Sequence, residues 1–143
     1  MKKNKGFTLI ELMVTIAVLA IVAMMAAPSF IKLVRNYQLT TDTRDFIDLL
    51  AETRSEAIFK QKAQILAVNT TVADSYKTWT PTHSHEESEH TSVSFERSGQ
   101  SSIVGSGQCF VFSHINDSAL KTYVYVQKGG TVVYKKLATS CPT

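Results

Sequence analysis

Residues 5–27 of the chain read KGFTLIELMVTIAVLAIVAMMAA, and this stretch decides how the rest is organised. Three lysines, Lys2, Lys3 and Lys5, precede the apolar run. A secretory signal peptide places its small-residue cleavage site after the apolar core, whereas here the small residue Gly6 comes before it. Cleavage at Gly6 would therefore leave the apolar segment on the mature protein as an N-terminal membrane helix.

The apolar segment runs from Phe7 to Ala27, 21 residues of which only Glu11 is charged. As an α-helix it would be about 31 Å long, enough to cross a hydrocarbon core of about 30 Å. Because the lysines all precede it, the leader is expected in the cytoplasm and the rest of the chain outside. A carboxylate within such a segment costs about 2.5–3.5 kcal/mol and usually has a partner. The new amine of Phe7 is the nearest cation, unless Glu11 simply reaches the membrane interface.

The sequence KGFTLIEL at residues 5–12 resembles the processing site of type IV pilins and type II secretion pseudopilins. The resemblance implies cleavage between Gly6 and Phe7 by a prepilin peptidase, N-methylation of Phe7, and contact of Glu11 with the N-terminal amine of a neighbouring subunit. It also implies a single-pass inner-membrane protein with a periplasmic head, which meets other pilins and an inner-membrane assembly platform. In this family a proline at the place of Pro28 accompanies a kink in the long helix; a helix end there is the alternative.

Beyond Pro28 the residue spacing stays helical to about Lys60, and a stripe of apolar and small side chains is expected to be buried. The stripe comprises Phe46, Leu49, Leu50, Thr53, Ala57 and Ile58. The sequence LAETRSEAI at residues 50–58 resembles a helix segment of the FimT/GspH-like minor pilins. We therefore expect the second half of a long helix to pack against a head.

After Lys62 the pattern changes to that of strands, with the glycines of Lys128-Gly129-Gly130 indicating a hairpin turn. Strands are predicted at residues 64–68, 92–95, 108–113, 121–127 and 131–136. The polar stretches 80–91 and 98–108 are predicted loops, either functional or disordered.

The predicted fold class is α+β, with a long N-terminal helix packed on a small antiparallel β-sheet head, the pilin fold. The predicted organisation is a leader at residues 1–6, a transmembrane and assembly helix at 7–27, the amphipathic half of the helix at 28–62, and a β-rich head at 63–143.

The formal charge of +3 disappears with the leader, which leaves 12 basic and 12 acidic residues. Bulk charge therefore gives no argument for nucleic-acid binding. Cys109 and Cys141 are the only cysteines. In an oxidising periplasm we expect them to form a disulfide, whereas a cytoplasmic protein would keep two free thiols.

The sequence HSHEESEH at residues 83–90 contains residue types that bind metals. Its spacing matches no helical zinc motif and its surroundings are polar, so a solvated loop is expected rather than a metal site. No catalytic motif or phosphate-binding loop is present, and the chain is predicted to be neither an enzyme nor a cofactor protein.

The leading interpretation is a minor pilin or pseudopilin that helps to initiate or cap a type IV pilus, with a type II secretion pseudopilin of the GspH type as the alternative. A further alternative is DNA capture for natural transformation, in which some FimT-like pilins are implicated. Their C-terminal element reads Gly-Arg-x-Arg, and the arginines are absent here after Gly130. A DNA-contacting patch would then depend on basic and aromatic side chains near the hairpin, namely Lys121, Lys128, Tyr134, Lys135 and Lys136. The alternative is that these lysines only protect an edge strand from pairing with another chain.

Overall fold

The computed structural model describes residues 6–135 and 138–142. It contains one α-helix, α1 (Leu9–Lys60), followed by seven strands in the described residues. The chain divides into two compact units, Met1–Val34 and Arg35–Thr143. The strands are β1 (Gln64–Val68), β2 (Lys77–Trp79), β3 (Ser84–Glu86), β4 (Ser92–Phe95), β5 (Gly107–His114), β6 (Asp117–Gln127) and β7 (Val132–Tyr134).

Both ends of α1 are capped by local hydrogen bonds. At the start, the Thr8 hydroxyl accepts the backbone N–H of Glu11 at 3.3 Å, which is half of a capping box. At the end, Gln61 adopts a left-handed φ of 51°, and Lys62 N–H donates to the Ala57 carbonyl at 3.2 Å. This is a Schellman arrangement with glutamine in the place usually taken by glycine. Pro28 lies inside the helix, so the helix does not end there.

The second unit buries one face of α1 against the strands. Phe46 lies at the centre, with its ring centroid 4.9 Å from that of Trp79 and 5.0 and 5.1 Å from those of Phe110 and Phe112. The predicted stripe is correct for Phe46, Leu50, Thr53 and Ala57, which are buried. Leu49 is half-buried, and Ile58 is exposed.

Two sheets cover the helix in place of the single antiparallel sheet that the sequence predicts. One has the order β2-β1-β4, in which β1 and β2 run parallel; the other has the order β3-β5-β6-β7 and is antiparallel throughout. The α+β class is confirmed, with a long N-terminal helix packed on small sheets.

The predicted loop at residues 80–91 contains a strand, β3, which pairs with β5. The prediction was wrong because β3 has no apolar alternation: its inward-facing Ser84 is buried through a hydrogen bond to Asp42 rather than through apolar contact. The strand β2 was not predicted, because three residues are too few to show the alternation of apolar and polar side chains that indicates a strand.

The segment between β4 and β5 links the two sheets. Ser102 N–H donates to the Ser94 carbonyl of β4 at 2.9 Å, and Ser101 N–H donates to the Lys128 carbonyl at the β6–β7 turn at 3.0 Å. Arg54 of α1 reaches the same place, where Nε donates to the Gly99 carbonyl at 2.9 Å. Its guanidinium also donates to the Gly129 carbonyl at 3.4 Å. Hydrogen bonds thus connect the helix and both sheets at the β4–β5 segment and the β6–β7 turn.

Candidate processing and assembly site

The peptide bond expected to be cleaved lies just before α1. Residues 6–8 are outside the helix, and among the described residues no heavy atom outside the adjoining residues lies within 4 Å of the position that a Cβ would take at Gly6. Phe7 is 85% exposed. The Gly6–Phe7 bond is thus presented on an open segment of the kind that a peptidase can bind in extended form.

The first unit is a helix whose described apolar side chains are exposed. All of its large apolar side chains from Phe7 to Leu33 are more than one-third exposed. One helix is long and apolar enough to cross a membrane, and none of its apolar window is buried within the described part of the chain. Such an exposed apolar surface requires lipid or other apolar helices around it.

Glu11 is an exposed carboxylate in the first turn of this helix. The backbone N–H groups of a helix start carry partial positive charge and favour a carboxylate there. Its own N–H is bound by Thr8, which holds the first turn in helical form. Within the described residues the Glu11 carboxylate has no ion pair.

The disulfide between Cys109 and Cys141 is present, with the two Cα atoms 6.2 Å apart. That separation is within the usual range for disulfides. Cys109 lies on β5, so the bridge attaches the C-terminal segment to the antiparallel sheet.

The side chains considered for DNA contact are not gathered into one patch among the described residues. Lys121 forms an ion pair with Glu87, and the ammonium group lowers the pKa of that carboxyl. Lys128 and Lys135 are exposed, but they lie at opposite ends of β7. Lys136 lies outside the described residues.

Tyr134 is half-buried. It packs against the core, its hydroxyl is buried, and burial raises the pKa of the phenol.

The histidines at residues 83–90 take part in the structure of the head. His83 N–H donates to Asp42 Oδ2 at 2.7 Å, the His85 ring lies 3.3 Å from the Ser113 hydroxyl, and the His90 ring packs on Phe110. Among residues 6–135 and 138–142, no group of three or more histidine, cysteine or carboxylate side chains is arranged to hold a metal ion.

Sequence reasoning overlooked Asp42, a buried carboxylate on the helix face that packs on the strands. The available signal was its position: Asp42 lies three residues after Leu39 and four before Phe46, both of them buried.

The family model described as prokaryotic N-terminal methylation motif matches residues 1–27. No curated protein is significantly similar to the chain in sequence. In its fold the chain is similar to the type IV minor pilin FimU of Pseudomonas aeruginosa strain PAO1. One crystal form of FimU aligns with a TM-score of 0.51 at 13% identity, over 68% of this chain and 92% of FimU. A second crystal form gives a TM-score of 0.52 at 14% identity, over 69% of this chain and 89% of FimU. The chain thus carries a prokaryotic N-terminal methylation motif, and its fold is similar to that of a type IV minor pilin.

Proposed function

We propose that the mature chain is a minor pilin, a structural subunit that helps to initiate or cap a type IV pilus. The observation that carries the proposal is the exposed apolar helix with the single carboxylate Glu11 in its first turn, directly after the methylation motif. The fold likeness to FimU, a type IV minor pilin, supports a pilus rather than a secretion system.

In this proposal a prepilin peptidase removes residues 1–6 and the new N-terminus at Phe7 is methylated. Residues 7–27 then anchor the chain in the inner membrane, residues 28–62 complete the helix with a kink at Pro28, and the head at residues 63–143 lies in the periplasm. When the subunit is drawn into a filament, contacts between apolar helices replace contacts with lipid.

Glu11 has the role of fixing the register between neighbouring subunits. Its carboxylate is costly in an apolar environment, and a cation within about 4–6 Å offsets that cost. The cation of a processed neighbour is the N-terminal amine of Phe7. If the subunits were out of register, the Glu11 carboxylate and the Phe7 amine would both lack a partner in an apolar environment. Because that is costly, the register that pairs them is favoured.

The test is the Glu11→Gln variant in cells with a working prepilin peptidase. We expect it to be processed and to remain in the membrane fraction while its amount in sheared filaments falls at least tenfold. Thr15→Val, a neutral change one helical turn further on, serves as the matched control and is expected to enter filaments normally. Normal incorporation of Glu11→Gln would refute the assembly role.

Processing is tested separately by N-terminal sequencing of the native protein. We expect a methylated phenylalanine, Phe7, as the first residue. A chain that still begins at Met1 would contradict the whole proposal, whatever the result for Glu11.

A further inference from the structure

A polar network attaches α1 to two other elements of the head. Asp42 Oδ2 accepts the backbone N–H of His83 at 2.7 Å and the hydroxyl of Ser84 at 2.9 Å. Gln38 Oε1 lies 3.0 Å from Nε2 of His114 at the end of β5. We call these five residues the polar clasp, since Gln38 and Asp42 belong to the helix whereas His83, Ser84 and His114 belong to the strand side.

The clasp also orders the backbone around it. Ile115 N–H donates to the His83 carbonyl at 3.0 Å, which joins the β5–β6 turn to the segment before β3. Asn116 N–H donates to Nδ1 of His114 at 3.1 Å. Three backbone N–H groups, those of His83, Ile115 and Asn116, therefore depend on the clasp for their partners.

The hydrogen bonds of His114 fit only its neutral ring. Because Nδ1 accepts a hydrogen bond from Asn116, the ring proton lies on Nε2, from which it donates to Gln38 Oε1. The residue is only 2% exposed. A second proton on Nδ1 would oppose the Asn116 N–H directly and place a positive charge in a buried site.

We propose that the polar clasp is a proton-sensitive latch, closed while His114 is neutral and opened when His114 gains a proton, which releases β3 and the β5–β6 turn from α1. The charged and titratable groups that face His114 come from every element around it. They are Arg35 and Asp42 on α1, His83 before β3, and Asp117 at the start of β6. Arg35 and Asp117 lie 3.7 Å apart as a partly exposed ion pair, so neither charge acts alone on the ring.

The direction of the pH effect follows from these surroundings. Burial lowers the pKa of His114, Arg35 and His83 lower it further, and Asp117 and Asp42 oppose them. The released ring has the ordinary pKa of about 6.5. The latch is therefore fully effective above about pH 6.5 and weakens as the pH falls from there towards the pKa of the folded state.

The experiment measures amide hydrogen exchange on the full-length protein in detergent micelles at pH 7.5 and pH 5.5, corrected for intrinsic exchange rates. If His114 stays neutral when latched, the opening equilibrium of the His83, Ile115 and Asn116 amides should rise by up to about tenfold over this interval. The Gln127 amide, which donates to the Thr131 carbonyl at the other hairpin, is the internal reference and should not change.

The decisive variant is His114→Asn. An asparagine side chain can accept the N–H two residues ahead, as Nδ1 of His114 does, but it does not titrate. We expect its clasp amides to show no rise between the two pH values. His85→Asn is the matched control, because His85 is exposed and should leave the rise intact.

A rise of less than twofold in the native protein, or an equal rise in His114→Asn, would overturn the latch. If His114→Asn does not fold, an NMR titration of the His114 ring in the native protein decides the question. A ring that titrates at or above pH 6.5 in the folded protein refutes the proposal, and one that titrates below it supports the proposal. Neither readout depends on filament assembly, so the latch can fail while the minor-pilin function stands.

Discussion

Phe46 is the residue on which the core of the head depends most. Its ring contacts three other aromatic rings, one from the parallel-containing sheet and two from the antiparallel sheet. Truncation would leave a cavity between the helix and both sheets. We expect Phe46→Ala to lower the free energy of unfolding by about 3–5 kcal/mol. Denaturant unfolding of the full chain in micelles measures the loss, with the fluorescence of Trp79, the only tryptophan, as the probe.

The matched control for Phe46 lies on the same helix. Phe59 is 84% exposed, and Phe59→Ala should change the free energy of unfolding by no more than about 0.5 kcal/mol. Similar losses in the two variants would show that the assigned helix face is wrong.

Single residues also show where sequence reasoning succeeds. Phe46, Leu50 and Ala57 were correctly placed in the core because apolar residues at helical spacing have few alternatives to burial. Asp42 was not, because a buried carboxylate depends on partners distant in sequence. Only the fold brings His83 and Ser84 to it.

At the level of elements, the β6–β7 turn gives the sharpest prediction. Gly130 has a φ of 81°, and a Cβ there would collide with the Gly99 carbonyl oxygen. We expect Gly130→Ala to lower the free energy of unfolding by more than about 1 kcal/mol, since both the backbone conformation and the contact are lost. The same unfolding measurement applies.

Its neighbour Gly129 provides the comparison. In the part of the chain that the structure describes, no heavy atom outside the adjoining residues lies within 4 Å of the position of a Cβ at Gly129, and its φ is not in the left-handed region. Gly129→Ala should therefore be neutral to within about 0.5 kcal/mol. If both substitutions cost the same, the turn does not have the described conformation.

The elements differ in how far the sequence determines them. The bounds of β1 and β4 were predicted correctly at residues 64–68 and 92–95, and the hairpin glycines lie where expected. These segments carry apolar alternation or turn residues of their own. By contrast, β2 and β3 have three residues each and exist because a neighbouring strand offers them hydrogen bonds.

For the molecule as a whole, the disulfide gives a prediction that involves the C-terminal segment. Cys109 and Cys141 are separated by 32 positions. On the chain-entropy model, closing a loop of that size stabilises the folded state by about 3–4 kcal/mol. We expect reduction with dithiothreitol to lower the free energy of unfolding by this amount, as followed by Trp79 fluorescence.

The double variant Cys109→Ser with Cys141→Ser supplies the control. It should have the stability of the reduced protein and should not respond to dithiothreitol. A native chain whose unfolding is unaffected by the reductant, although its mass shows that the bridge has opened, would contradict the stabilising role.

The division into an apolar helix and a head could be predicted at this scale, but the two-sheet arrangement could not. Hydropathy alone distinguishes residues 7–27 from the head, because an apolar run of that length indicates a membrane-spanning helix. Whether the described strands form one sheet or two depends on long-range pairings such as β1 with β4, which composition does not specify.

Arg54 has a mechanical consequence for the head. The two sheets share no strand among the described residues, and two of the routes that connect them are the helix on which both pack and the segment between β4 and β5. The guanidinium holds both routes together through the carbonyls of Gly99 and Gly129. We expect a pull applied to the helix at Arg54 to be shared between the β4–β5 segment and the β6–β7 turn.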